Sequence, residues 1–155
     1  MTSRREFLLL ACGAFAGAAE AQLPANIAAL RKAALEEALR KVVGDAPLRR
    51  GKVKLELPPL IDNGNTVPLS VTVESPMTPA DHVRAIHVFA EKNPQPYVLG
   101  ARLGPRAGRA QIATRVRIAD TGTVIALAQM SDGSFWSDSV NVVVTLSACL
   151  EDGLI

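Results

Sequence analysis

The sequence predicts an all-β fold: an immunoglobulin-like antiparallel β-sandwich of about seven strands, preceded by one N-terminal amphipathic helix. Three observations carry this. From Lys52 onward, apolar residues recur at every second position in short runs, the period of a strand with one face buried. Clusters of Gly, Pro, Asn and Asp separate those runs at fairly regular spacing, which supplies the turns. Ahead of them, a single stretch repeats its apolar residues at three- and four-residue steps.

The helix is predicted over residues 24–43. Ile27, Leu30, Leu35, Leu39 and Val42 form its apolar side, while Arg31, Lys32, Glu36, Glu37, Arg40 and Lys41 take other faces. That is about five turns at 3.6 residues per turn, ended by Gly44-Asp45-Ala46-Pro47. Strands are predicted over 52–57, 67–73, 83–90, 96–103, 110–118, 124–130 and 140–146. In the third, Ile86, Val88 and Ala90 share one side and Ala85, His87 and Phe89 the other. In the fifth, Arg115 and Arg117 share the face opposite Val116 and Ile118. Pro68 suits a strand start or an edge. Asn63-Gly64-Asn65 reads as a turn that permits positive φ, or simply as a loop.

A chain of 155 residues has room for one domain with a proper core and not for two. The expected organisation is a signal peptide over 1–21, the helical segment over 22–45 and the sandwich over 46–155. Formal net charge is +2, with basic and acidic residues interspersed, so the dense basic surface of a nucleic-acid binder is absent. No apolar run reaches the ~20 residues of a membrane span.

The N-terminus reads as an export signal. Ser3-Arg4-Arg5-Glu6-Phe7-Leu8 leads into a weakly apolar, Ala/Gly-rich stretch and reaches Ala19-Glu20-Ala21, a small-residue cleavage site. The paired arginines resemble a twin-arginine signal, so the expected location is the periplasm and the first mature residue Gln22. A lipid anchor at Cys12 is the alternative reading of Leu9-Leu10-Ala11-Cys12. Cleavage removes Cys12, one of two cysteines, and leaves Cys149 unpaired in an oxidising compartment, where a lone thiol is reactive or intermolecular unless it packs as a small hydrophobe.

Catalytic constellations are sparse. His82 and His87 are expected on opposite faces of a strand, poor geometry for sharing a metal, and no metal or cofactor site is expected. There is no G-x-S-x-G elbow, phosphate-binding glycine loop or C-x-x-C pair. Gly100, Gly104 and Gly108 read as turn residues. Asp81-His82 reads as a hydrogen-bonded surface pair. Arg102, Arg106, Arg109, Arg115 and Arg117 could attract anions or merely form a solvated face, and Phe135-Trp136 offers either a partner anchor or ordinary hairpin packing. Continuing the alternation of Val140 to Leu146 places Ala148 inward and Cys149 outward. An accessible thiol near a strand end can enter a partner's cleft and exchange with sulfur electrophiles.

The stretches IDNGNTVPLSVTVESPMTPADHVRAIHVFAEKNPQP, GRAQIATRVRIADTGTVIALAQMSDGSFW and VTLSAC resemble the SoxY sulfur-carrier proteins of bacterial thiosulfate oxidation. NGNTVP, SPM followed by DHV, IHVFAE and MSDG carry the likeness in combination. The resemblance implies an immunoglobulin-like periplasmic protein that pairs with a SoxZ-like subunit and holds thiosulfate-derived intermediates on Cys149. It further implies loading through SoxAX, sulfate release by SoxB and, where present, oxidation by SoxCD. The carrier is then a substrate of these enzymes and not a catalyst. The family's arm ends Gly-Gly-Cys-Gly-Gly; here Ser147-Ala148 precede the cysteine and Leu150-Glu151-Asp152-Gly153-Leu154-Ile155 follow it. That arm is stiffer, and it sets two carboxylates beside a thiol that must meet an anion. The alternative is a binding or assembly subunit that keeps the sandwich and its partner edge without carrying sulfur.

Overall fold

The computed structural model describes residues 25–148. The predicted signal peptide, Cys12, Gln22, Cys149 and the tail after it lie outside the described residues. Among the described residues there are one helix, α1 (Ala25–Val43), and nine strands: β1 (Leu48–Arg50), β2 (Val53–Glu56), β3 (Leu60–Ile61), β4 (Val67–Val73), β5 (Val83–Ala90), β6 (Tyr97–Arg102), β7 (Gln111–Val116), β8 (Gly122–Met130) and β9 (Phe135–Val144). They build two sheets. The larger runs β1-β9-β8-β5-β6, with β3 also on β9, and the smaller runs β2-β4-β7. This is the predicted sandwich.

The core lies between the sheets. Ile86 and Val88 of β5, Val124, Ala126 and Ala128 of β8, and Val142 of β9 face Leu55 of β2 and Val67, Leu69, Val71 and Val73 of β4, all buried. Each such aliphatic side chain contributes roughly 1.5–3 kcal/mol when taken out of water. That burial drives the alternation seen in β2 and β4, where every second residue is buried. No disulfide is involved among the described residues, so these contacts close the sandwich.

Helix α1 ends as the sequence predicts. Gly44 takes φ of 62°, and its N–H donates to the Arg40 carbonyl at 2.8 Å, satisfying a terminal carbonyl in the left-handed conformation that glycine reaches without steric cost. Arg40 and Lys41 in the last turn complement the negative end of the helix dipole. The helix lies against the outer face of the larger sheet. Ala34, Ala38 and Val42 line a groove with Pro94, Pro96 and Tyr97 near the β6 edge, and Leu39 and Val43 line another with Ala46 and Leu48 at the β1 edge. This cover explains a departure from simple alternation in β5. Phe89 and its neighbour Leu127 on β8 are both 0 % exposed, yet neither belongs to the inter-sheet core. They form a second buried layer on the outer face, where Phe89 meets Tyr97 edge to face at 5.3 Å between centroids. Leu30, placed on the apolar side by periodicity, is instead 62 % exposed.

Two of the nine strands were not expected, and one starts early. β1 and β3 are only three and two residues long, too short to show a period. Both pair parallel with β9, in register Leu48↔Phe135 and Leu60↔Val143, because the chain leaves the larger sheet after β1, forms β2 in the smaller one and returns at β3. The sandwich is therefore mixed rather than wholly antiparallel. β9 begins at Phe135, five residues before the expected Val140, since Ser137, Asp138 and Ser139 interrupt the apolar period without interrupting the strand. Asp138 has a partner that sequence does not reveal: its Oδ2 accepts the N–H of Leu55 in the opposite sheet at 2.9 Å. Among the described residues, no helix is long and apolar enough to cross a membrane.

Candidate functional site

At one end of the sandwich, the last strand hands on to the segment that leads to Cys149. β9 stops at Val144. There the Thr121 hydroxyl accepts the Val144 N–H at 2.9 Å and donates to the Val144 carbonyl at 3.4 Å, standing in for the next residue of β8. The following residue, Thr145, turns to the other side. Its N–H donates to the Ile61 carbonyl at 2.9 Å, and its hydroxyl lies 3.3 Å from the same carbonyl and 3.1 Å from that of Asp62.

The Asn63-Gly64-Asn65 loop then closes on the chain. Gly64 donates its N–H to the Leu146 carbonyl and accepts the Ile118 N–H with its own carbonyl, both at 2.9 Å. Three backbones meet here: a Cβ on Gly64 would lie 2.3 Å from the Ile118 carbonyl oxygen, and 3.2 Å from both the Leu146 oxygen and the Ala148 nitrogen. Of the two readings of this motif, a turn permitting positive φ or simply a loop, the structure supports the loop, and it adds a reason for the glycine. Its φ is outside the left-handed region, and what requires glycine is the space a side chain would need. The Asn63 side-chain oxygen takes both the N–H and the Nδ2 of Asn65 at 3.0 Å, closing the loop on itself. Behind it, Asn93 pins the neighbouring turn by donating Nδ2 to the Arg117 carbonyl at 2.9 Å and accepting the Ala119 N–H at 2.7 Å.

Because β9 ends at Val144, strand alternation does not run on to Ala148 and Cys149. The extrapolation that pointed Cys149 outward loses its premise, and Cys149 itself lies outside the described residues. Thr121, Thr145 and Asn93 were not singled out from the sequence. Their roles are hydrogen bonds between residues 23 to 84 positions apart, which no local pattern encodes.

The remaining candidate residues are scattered. His82 precedes β5, and its Nδ1 lies 3.1 Å from the Thr78 carbonyl, so a turn carbonyl orients it where an Asp81 pair was expected. His87 Nδ1 meets the Tyr97 hydroxyl at 3.0 Å on the outer face, and burial, then the Arg102 charge, hold its imidazole below the usual histidine range. Gly100 is no turn residue: it lies in β6 opposite His87, where a Cβ would collide with the Tyr97 hydroxyl. Phe135 is buried, and half-buried Trp136 carries Lys52 Nζ and Arg49 Cζ at 5.1 and 5.8 Å from its ring centroid, a packing role with cation–π support. Arg115 and Arg117 are both exposed on the side of the smaller sheet's β7 edge. Among the described residues, no three His, Cys, Asp or Glu come together as a metal site.

The described residues form an immunoglobulin-like sandwich in which the segment after β9 is fastened against the loops bearing Thr121 and Gly64. The comparisons with known proteins agree with that class. The chain belongs to the SoxY family: the family model described as sulfur oxidation protein SoxY matches residues 39–149. No curated protein matches. Among solved structures, it is similar to the sulfur carrier protein SoxY from Chlorobium limicola f thiosulfatophilum, at 23% identity and a TM-score of 0.61, over 74% of this chain and 98% of that one. It is also similar to the superoxide reductase (neelaredoxin) from Ignicoccus hospitalis, at 16% identity and a TM-score of 0.54, over 61% and 80%. A putative superoxide reductase from Thermotoga maritima matches at 23% and 0.52, over 68% and 89%. At these identities the likeness is one of fold.

Proposed function

We propose that the protein is a periplasmic sulfur carrier of SoxY type, exported by the twin-arginine route, which holds thiosulfate-derived intermediates covalently on Cys149 for processing by partner enzymes. The observation that carries this is the family match, which runs through the sandwich and ends on Cys149 itself. The chemistry balances without a catalytic group on this chain. The Cys149 thiolate and thiosulfate join through a new S–S bond, releasing two electrons to a SoxAX-type cytochrome and leaving Cys–S–S–SO₃⁻. Water then cleaves the terminal S–S bond at the hand of a SoxB-type hydrolase, giving sulfate, two protons and a Cys–S–S⁻ persulfide, which a SoxCD-type enzyme oxidises where one is present. The protein is acted on in each step, and a SoxZ-like subunit is its expected partner in a heterodimer.

Intact-mass measurement tests the reading. The mature protein and its partner subunit, incubated with thiosulfate, a SoxAX cytochrome and an electron acceptor, should gain one thiosulfate on Cys149, and Cys149→Ser should gain none. No adduct, beside a control carrier that loads normally, would overturn it. The alternative of a non-carrying assembly subunit predicts that Cys149→Ala leaves sulfur oxidation unchanged in cells.

A further inference from the structure

We propose that the side of the sandwich where both sheets stop, along β6 and β7, is a docking edge for an extended acidic segment of a partner protein, taken up as an added strand on β7. The proposal stands independently of the carrier reading. β6 ends the larger sheet and β7 the smaller, so each has a neighbouring strand on one side only. Between them the sandwich stays open. Thr114 sits opposite buried Leu69 of β4, at the inward-facing register that it shares with Ile112 and Val116, yet it is exposed. A groove of about 440 Å³ opens there, lined by partly buried Val98 and Leu99, by Val116, and by Arg115 and Arg117. Its shape is held from behind: Asn93, ahead of β6, donates to the Arg117 carbonyl and accepts the Ala119 N–H. An edge already in place need not be ordered on binding.

Charge selects the occupant. Six of the chain's 17 Lys and Arg residues lie from Lys92 to Ala119, and none of its 15 Asp and Glu residues does. With a net charge of only +2 over the whole chain, this edge is basic and the remainder net acidic. Arg102, Arg106, Arg109, Arg115 and Arg117 are all exposed, and among the described residues none of them is in an ion pair. By contrast β2, the other edge of the smaller sheet, carries Lys54 and Glu56 paired with each other at 2.6 Å. Charged side chains on an edge strand ordinarily guard it against other strands. Here the guard has one sign, so it repels a second β7 edge and attracts a strand bearing carboxylates. An occupant that alternates apolar and acidic residues sets the first into the groove and the second on the outer face, where Arg115 stands. Nucleic acid suits the edge less well: β7 offers N–H donors as well as C=O acceptors, which a peptide strand returns in kind and a phosphodiester chain, all acceptor, does not.

The probe is a fluorescently labelled octapeptide of alternating valine and glutamate with blocked ends; its lysine counterpart and a single-stranded DNA oligonucleotide are the controls. With the full chain, the glutamate peptide should bind, more weakly as salt rises, and should slow amide exchange along β7 while leaving β2 unchanged. Arg115→Glu combined with Arg117→Glu should weaken binding by about tenfold, since an exposed ion pair is worth a factor of about 1.4 to 5 and each reversal also adds a repulsion. The same double reversal at Arg49 and Arg50, equal in net charge but on β1 at the far edge of the larger sheet, should leave the affinity unchanged. If a reversed variant fails to fold, as judged by thermal melting, the exchange footprint on the parent decides alone. Absent binding, equal binding of the lysine peptide or the oligonucleotide, affinity unmoved by the β7 reversal or equally lost on reversal at β1, or exchange not slowed along β7 overturns the docking edge. None of these outcomes depends on whether Cys149 takes thiosulfate, so the two readings fail separately.

Discussion

Removing the Asp138 carboxylate should unfasten the two sheets from each other at a defined cost. In Asp138→Ala, the Leu55 N–H loses its acceptor at 2.9 Å and the Ser139 N–H loses Oδ1 at 2.8 Å. Both bonds are part-buried, and Leu55 is a core residue. Hydrogen bonds to a charged acceptor contribute about 1.5–3 kcal/mol each, and a buried donor left unpaired costs about 1–3 kcal/mol. The Ser139 donor is shared with its own neighbouring residue and can turn to water, so most of the loss falls on Leu55, and about 2–4 kcal/mol is expected. Asp138→Asn should lie between, because an amide offers one oxygen where the carboxylate offers two, and its NH₂ would face one of the two donors. Urea unfolding followed by fluorescence of Trp136 reads this directly, with a lower midpoint and an unchanged slope. If Asp138→Ala lies within about 0.5 kcal/mol of the parent, the range of an ordinary surface substitution, the carboxylate is not a strut and β9 is held by its neighbours alone.

Phe89→Ala should cost about 3–5 kcal/mol, as for other fully buried aromatics, and a shift in melting temperature below that of a surface substitution would show that α1 does not cover the outer face. His87 is expected to titrate below the ordinary histidine value of about 6.5. Since its folded form then binds fewer protons than the unfolded chain as pH falls below that value, stability should drop from pH 7 towards pH 5, and His87→Gln should flatten this slope. NMR titration placing the His87 midpoint at or above 6.5 would refute that assignment. Asn93→Asp keeps the acceptor for Ala119 and loses the donor to Arg117; it should cost about 1 kcal/mol and raise amide exchange at Ile118 and Ala119, whereas unchanged exchange would show that the turn is held by other contacts.

What sequence could reveal depended on whether the reason for a residue lay nearby in the chain. Alternation in β4 and β2 is complete because each strand has one face on the core and the other in water, and the sandwich was legible from this. In β5 the alternation separates two sets of residues but does not show that Ala85 and Phe89, on the side away from the inter-sheet core, are buried as well. The start of β9 was hidden by Asp138, a polar residue with a partner 83 positions away. At the candidate site, the NGN motif was visible and its purpose was not: the loop suggests a glycine wanted for torsion, and only the approach of Ile118, Leu146 and Ala148 shows one wanted for its missing side chain.

The parallel strands β1 and β3 also bear on how this protein behaves in a crowd. At ten residues β9 is the longest strand, and a bare edge of that length would invite another molecule to extend the sheet. The chain covers it at both ends with fragments too short to template anything themselves, and spans the interval with the Asp138 bridge to Leu55. Crossing between sheets thus doubles as protection from fibre-like self-association.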